Sequence, residues 1–150
     1  MKEGINWDVM NTEGNGLQQL LCHPDGSVFR LDLRDSVGGI FRSVDGGTNW
    51  TKIFPPEGLN ITDYSHVSPM VLDRMGRILV CTWVDSGFYL SKNSTFTEWE
   101  NCSSGFWGDD FRHDKYLNAS QVAQDPKTGI FYADSRGASV FKSKPDLASL

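Results

Sequence analysis

Apolar and polar positions alternate in short runs along this chain, and the runs recur in a fixed order. "LQQLLC" (17–22) is followed by "SVFRLDL" (27–33), "GIFRS" (39–43) and "TNWTKI" (48–53). Alternation with a period of two over such short spans predicts strands. No sustained 3.6-residue pattern competes with it, so the predicted class is all-β without a long helix. Turn signals separate the runs. Gly26 sits between the first and second strands, and Asp45, Gly46 and Gly47 form a tight-turn signal between the third and fourth.

The same order returns twice. The second unit carries "SPMVLD", a turn at Gly76, "RILVCTW", "GFYLS" and "TEWENC"; the third carries "SQVAQD", a turn at Gly129, "IFYADS" and "SVFKS". Ser43, Ser91 and Ser143 close the third strand of each unit and lie 48 and 52 residues apart. Trp7, Trp50 and Trp99 are equivalent by the same alignment. A repeat of this length made only of strands predicts β-propeller blades of four antiparallel strands, about three blades' worth here. The predicted boundaries are a fourth strand at 5–10, a blade at 17–54, a blade at 67–103 and an incomplete blade at 118–150. The core is expected at Leu20, Leu21, Val28, Phe29, Ile40, Phe41, Val71, Leu72, Ile78, Val80, Phe88, Leu90, Val122, Ile130, Phe131, Val140 and Phe141, with Trp7, Trp50 and Trp99 packed at blade edges.

"SVDGGTNW" (43–50) resembles the Asp-box, or BNR, repeat, written Ser-x-Asp-x-Gly-x-Thr-Trp. Ser43, Asp45, Gly47 and Trp50 fit it, and Asn49 replaces the threonine. The second copy, "SKNSTFTEW", is degenerate: Asn93 stands for the aspartate, Thr95 for the glycine, and one residue is inserted before Trp99. The third, "SKPD", displaces the aspartate to Asp146 and has no tryptophan. The resemblance implies a structural turn on the face opposite any active site. It also implies a ring of more blades than three, completed by the remaining blades of a longer chain or by other copies of the same chain.

On that resemblance the functional face is built from the loops between second and third strands and between blades. The richest is the loop around residues 106–116, with Trp107, Asp109, Asp110, Arg112, His113 and Tyr116. Aromatic rings stack on sugars, arginine and histidine bind hydroxyls and acids, and paired carboxylates cleave glycosidic bonds. The same residues also read as a solvated loop whose charges pair with each other. Tyr64, His66, Asp85 and Arg136 fall in neighbouring loops of that face. Asp35, in "RDSVGG", is similar to the catalytic aspartate of the "TDxGG" stretch in xyloglucan-hydrolysing propellers, with one extra residue before the glycines; it also reads as a turn aspartate. The candidate catalytic residues are thus Asp35, Asp109 and Asp110. A sialidase set cannot be assembled: "VFRLDL" offers Arg30 without the typical proline, and alternation turns Arg30 to the other side of its strand from Phe29 and Leu31.

Charge and composition narrow the partners. Net charge is −5 and the basic residues are scattered, which argues against nucleic acid. No run of about 18 apolar residues exists, so no transmembrane helix is expected, and "MKEGINWDVM" has no signal-peptide h-region. Cys22, Cys81 and Cys102 form no CxxC pair and are expected as small buried hydrophobes. Histidines are dispersed, so neither metal nor cofactor is expected. Asn49, Asn60, Asn93, Asn101 and Asn118 each head an N-x-S/T triplet. Secretion through a glycosylating pathway and a turn preference for these residues both explain the excess. The expected function is a glycoside hydrolase-like propeller acting on or binding extracellular glycan or polysaccharide, located outside the cell or in its envelope. The alternative is a non-catalytic Asp-box propeller that binds glycan or protein.

Overall fold

The computed structural model of the chain describes residues 4, 6–8, 17–32, 38–59, 70–82, 87–103, 121–134 and 140–144. Among them, eleven strands form three antiparallel sheets, and no helix occurs. Sheet 1 holds β1 (Leu17–Cys22), β2 (Val28–Asp32), β3 (Gly39–Ser43) and β4 (Thr51–Phe54) in that spatial order. Sheet 2 repeats it with β5 (Met70–Leu72), β6 (Ile78–Thr82), β7 (Gly87–Ser91) and β8 (Trp99–Asn101). Sheet 3 holds β9 (Val122–Gln124), β10 (Phe131–Asp134) and β11 (Val140–Lys142).

The registers match from sheet to sheet. Arg30 pairs with Phe41, Val80 with Tyr89, and Ala133 with Phe141. The serines that end the third strands then fall at one position. Ser91 Oγ accepts the Ile78 amide at 2.8 Å, and Ser143 Oγ accepts the Phe131 amide at 2.9 Å. In sheets 2 and 3 these bonds tie the end of the third strand to the start of the second.

The sheets pack face to face in chain order. Phe29 and Leu31 on β2 meet Ile78 and Val80 on β6 in one buried cluster. Leu79 and Cys81, on the opposite face of β6, meet Phe131 and Ala133 on β10 in a second. Strand β6 is therefore apolar on both sides, which is why its sequence is a continuous run and not an alternation. A bulge opposite Ile40 and Phe41 lets the successive residues Ile53 and Phe54 of β4 both enter the first cluster.

Polar clasps set the alignment between sheets. The Gln19 amide group donates to the Met70 carbonyl and accepts the Met70 amide, both at 2.8 Å. His23 Nε2 meets the Gly76 carbonyl at 2.9 Å, joining the first turn of sheet 1 to that of sheet 2. Arg74 Nη1 donates to the Lys127 carbonyl at 2.9 Å, and the Arg74 amide donates to Gln124 Oε1 at 2.8 Å. The first turns of all three sheets consequently share one side.

Two aromatics lock sheet 2 onto sheet 1. Trp99 Nε1 donates both to its own turn, at the Phe96 carbonyl (3.0 Å), and across the junction to the Ile53 carbonyl (3.1 Å). Phe96 is 1% exposed and packs edge-on against Phe29 at 4.9 Å and His23 at 5.5 Å. Its φ is +58°, a left-handed value that costs a non-glycine residue about 1–2 kcal/mol. Burying a phenylalanine returns about 1.5–3 kcal/mol, and the edge-on ring pair adds about 0.5–1.5 kcal/mol. Packing therefore wins over backbone strain.

Several expected core positions are corrected. Leu20 is 66% exposed and Val140 73%, because they lie on the outer faces of the end sheets, where alternation points them away from sheet 2. Trp7 is 90% exposed, and residues 6–8 form no strand. Cys22 is exposed for the same reason as Leu20, whereas Cys81 is buried and Cys102 half-buried.

The Phe96 balance gives a test by urea denaturation. Phe96→Ala is expected to lower stability by about 3–5 kcal/mol. Phe96→Gly should be less damaging than Phe96→Ala by about 1 kcal/mol, since glycine accepts the positive φ. The opposite order would mean that the turn relaxes when the ring is removed.

Candidate functional site

Antiparallel order divides the connections between two edges. The turns linking β1 to β2 and β3 to β4 leave from one end of sheet 1; the links from β2 to β3 and β4 to β5 leave from the other. Sheets 2 and 3 repeat this, and the turn-to-turn clasps align them.

The turn edge carries the Asp-box resemblance, and its geometry explains why those residue types are needed. Ser43 Oγ donates to Asp45 Oδ1 at 2.8 Å and accepts the Gly47 amide at 2.8 Å. Asp45 Oδ1 accepts the Asn49 amide at 2.9 Å, and Oδ2 accepts Asn49 Nδ2 at 2.7 Å. Trp50 Nε1 closes the turn on the Gly47 carbonyl at 2.9 Å. Asn49 thus makes a side-chain bond in the place of the motif's threonine. The Asn49 amide and side chain, followed by Ser43, hold Asp45 well below the ordinary carboxylate value, at about 2.

In the second copy Asn93 Oδ1 accepts the Thr97 amide at 3.0 Å, as Asp45 does for Asn49. The tryptophan contact identifies Phe96, not Thr95, as the counterpart of Gly47: both have positive φ and both present their carbonyl to the indole three residues on. The inserted residue lies between Asn93 and Phe96. Asn49, Asn93 and Asn101 all bond within their own turns, Asn101 Oδ1 accepting the Ser103 amide at 3.0 Å. That accounts locally for three of the N-x-S/T triplets.

The opposite edge is the candidate site. Asp35, Asp109, Asp110, Trp107, Arg112, His113, Tyr116, Tyr64, His66, Asp85 and Arg136 all lie outside the described residues. The strand ends from which their loops leave are described, and they are firmly built. At the base of the Asp35 loop, Asp32 is fully buried at the end of β2. Gly39 opens β3 with φ +136°, and a Cβ there would sit 2.1 Å from the Phe54 carbonyl oxygen, so only glycine fits. Lys52 stands beside this base: burial lowers its pKa and the Asp32 charge opposes that. At the base of the 104–120 loop, buried Ser103 accepts the Phe88 amide at 2.9 Å on Oγ, and the Cys102 amide donates to the Phe88 carbonyl at 2.9 Å. On its far side Asp134 Oδ1 accepts the Gln121 amide at 2.7 Å.

Asp32, Ser103 and Asp134 were not singled out in the sequence. The available signal was a polar residue closing an apolar strand, as in "VFRLD". These groups fix where each loop departs and do not by themselves form a reactive set. Burial, reinforced by the Glu100 charge, pushes the Cys102 thiol up to about 12, so it stays protonated and is no nucleophile. Among the described residues no group of three or more His, Cys, Asp or Glu side chains is arranged to hold a metal ion. Neither a protein-family model nor a curated protein matches this chain.

The Asp45 turn gives a pH test. Burial raises the pKa of Asp25 in the first turn, but bonds from the Ser27 amide and side chain, with the neighbouring His23, outweigh this and leave it at about 2 as well. A carboxylate depressed on folding stabilises the native state above its unfolded value of about 3.9, and that stabilisation is lost as pH falls through about 2. Asp45→Asn should therefore make the fall in melting temperature between about pH 4 and pH 2 shallower than in the wild type, with Asp25 supplying part of the residual slope. Identical slopes would remove Asp45 from the turn's electrostatics.

Proposed function

We propose that the chain is part of the Asp-box β-propeller class and that its loop edge binds and hydrolyses extracellular glycans. The observation that carries this reading is the complete Ser43–Asp45–Gly47–Trp50 turn, set at the strand ends opposite the loops. The serially packed antiparallel sheets and the rigid bases of the 33–37 and 104–120 loops are consistent with it. In this reading Asp35, Asp109 and Asp110 supply the general acid and its partner carboxylate. Trp107, Tyr64 and Tyr116 stack on sugar rings, and Arg112, His113, His66, Asp85 and Arg136 bind hydroxyl or acidic groups.

A panel of oligosaccharides and polysaccharides, assayed for both binding and turnover, tests the proposal. Asp35→Asn and Asp110→Asn are expected to reduce turnover by about 10²–10⁴-fold while leaving binding in place. Trp107→Ala is expected to weaken binding instead. Binding without turnover in the wild type would assign the non-catalytic alternative. Neither binding nor turnover on any glycan would overturn the reading.

A further inference from the structure

The two sheet junctions inside the chain follow one rule. Position by position, Val28 and Arg30 of β2 correspond to Ile78 and Val80 of β6 and to Phe131 and Ala133 of β10. These residues form the leading face of each sheet. Phe29 and Leu31 correspond in the same way to Leu79 and Cys81 and to Tyr132 and Asp134, on the trailing face. At both junctions the leading face of one sheet packs on the trailing face of the sheet before it.

The rule leaves two faces directed away from sheet 2, and their chemistry departs from the internal pattern in a matched way. On the leading face of sheet 1, Arg30 replaces the Val80 and Ala133 of the other sheets. Its guanidinium lies between the rings of Phe41 (4.8 Å) and Trp50 (4.7 Å). The residue is only 8% exposed, and its Nε has no hydrogen-bond acceptor among the described residues. A buried cation is costly unless a counter-charge lies nearby. On the trailing face of sheet 3, Asp134 and Tyr132 stand where the other sheets have Leu31 and Phe29, or Cys81 and Leu79. Exposed apolar groups accompany each face: Leu20 (66%) beside Arg30, and Val140 (73%) beside Asp134.

We infer that the trailing face of sheet 3 in one copy of this chain docks on the leading face of sheet 1 in a second copy, head to tail, with Arg30 received by Asp134 and Tyr132. The geometry is that of the two internal junctions, used a third time between molecules. The apolar contact is the same in kind, and the exchange of Val and Leu for Arg and Asp marks the outer junction. The leading face of sheet 2 is already covered by sheet 1, so among the described sheets sheet 1 alone presents a leading face to a second copy, and the charge pair matches it. The contact is heterologous, so its two faces are different and can be disabled separately. It stands independently of any glycan activity.

Sedimentation of the 150-residue chain at micromolar concentrations tests this. The wild type is expected to self-associate. Arg30→Glu and Asp134→Lys are each expected to weaken association by at least about tenfold, by setting like charges against each other. An equimolar mixture of the two should associate again, because each variant keeps one native face. An unfolded variant could not be rescued this way. If circular dichroism shows that either variant fails to fold, Arg30→Met and Asp134→Asn replace them; Asn keeps an acceptor for the Gln121 amide. A wild type that stays monomeric at about 100 μM, folded variants that associate as the wild type does, or a mixture of folded variants that stays dissociated would each overturn the inference.

Discussion

The two-sided burial of β6 is the constraint on which the rest of the structure depends. Ile78 and Val80 face one way, Leu79 and Cys81 the other, and none is more than 2% exposed. Each of the three aliphatic side chains removed from water in this way stabilises the fold by about 1.5–3 kcal/mol. An isolated four-stranded sheet could not hide both sets at once. The strand therefore requires a sheet on each side, and sheets 1 and 3 exist in their present orientation because they supply those covers. Phe29, Leu31 and Phe54 do so on one side, and Phe131 and Ala133 on the other.

Apolar contact alone would let the sheets slide, because it has no preferred direction. Hydrogen bonds between the first turns remove that freedom. His23, Asp73 and Asp125 occupy one position in the three turns and use different groups for the same local task. Asp73 Oδ1 accepts the Met75 amide at 2.8 Å, Asp125 Oδ1 the Lys127 amide at 2.9 Å, and His23 Nδ1 the Asp25 amide at 3.1 Å. Only the histidine has a second ring nitrogen to extend to the next sheet. At the following junction Arg74 makes the bridge instead. The repeat thus preserves geometry while changing which residue provides it.

Strand order was legible because the runs recur in one order and the third strand of each unit ends in serine. Alternation states which residues share a face, but it cannot state whether that face has a neighbour. Leu20 and Val140 share the pattern of core residues and lie on outer faces. Conversely, Leu79 and Tyr89 were not among the expected core residues and are buried, because sheet 2 is covered on both sides. The second turn misled for a different reason. Glycine is the expected residue at a positive φ, so Thr95 was the nearest small residue to align, whereas the ring of Phe96 makes the strained backbone favourable through contacts on another sheet. Of the candidate site, the sequence reached the loop residues through their chemistry, and the described strands reach only the bases that anchor them. Asp32, Ser103 and Asp134 escaped notice because a single polar residue at a strand end has no spacing to distinguish it.

Serial packing also has a consequence for how the native state opens. Each sheet rests on its sequence neighbour, so the chain behaves as a short one-dimensional stack in which stability is shared through adjacent interfaces. Sheet 1 or sheet 3 can detach by breaking one cluster; sheet 2 cannot leave without breaking both. The β6 and β7 amides should then exchange with solvent only through global unfolding, while those of the short strands β9 and β11 exchange through a local opening of lower free energy. Among the described residues the central sheet is held by two clusters and each outer sheet by one, so the expected gradient in opening follows from the order of the sheets and not from the composition of any one of them.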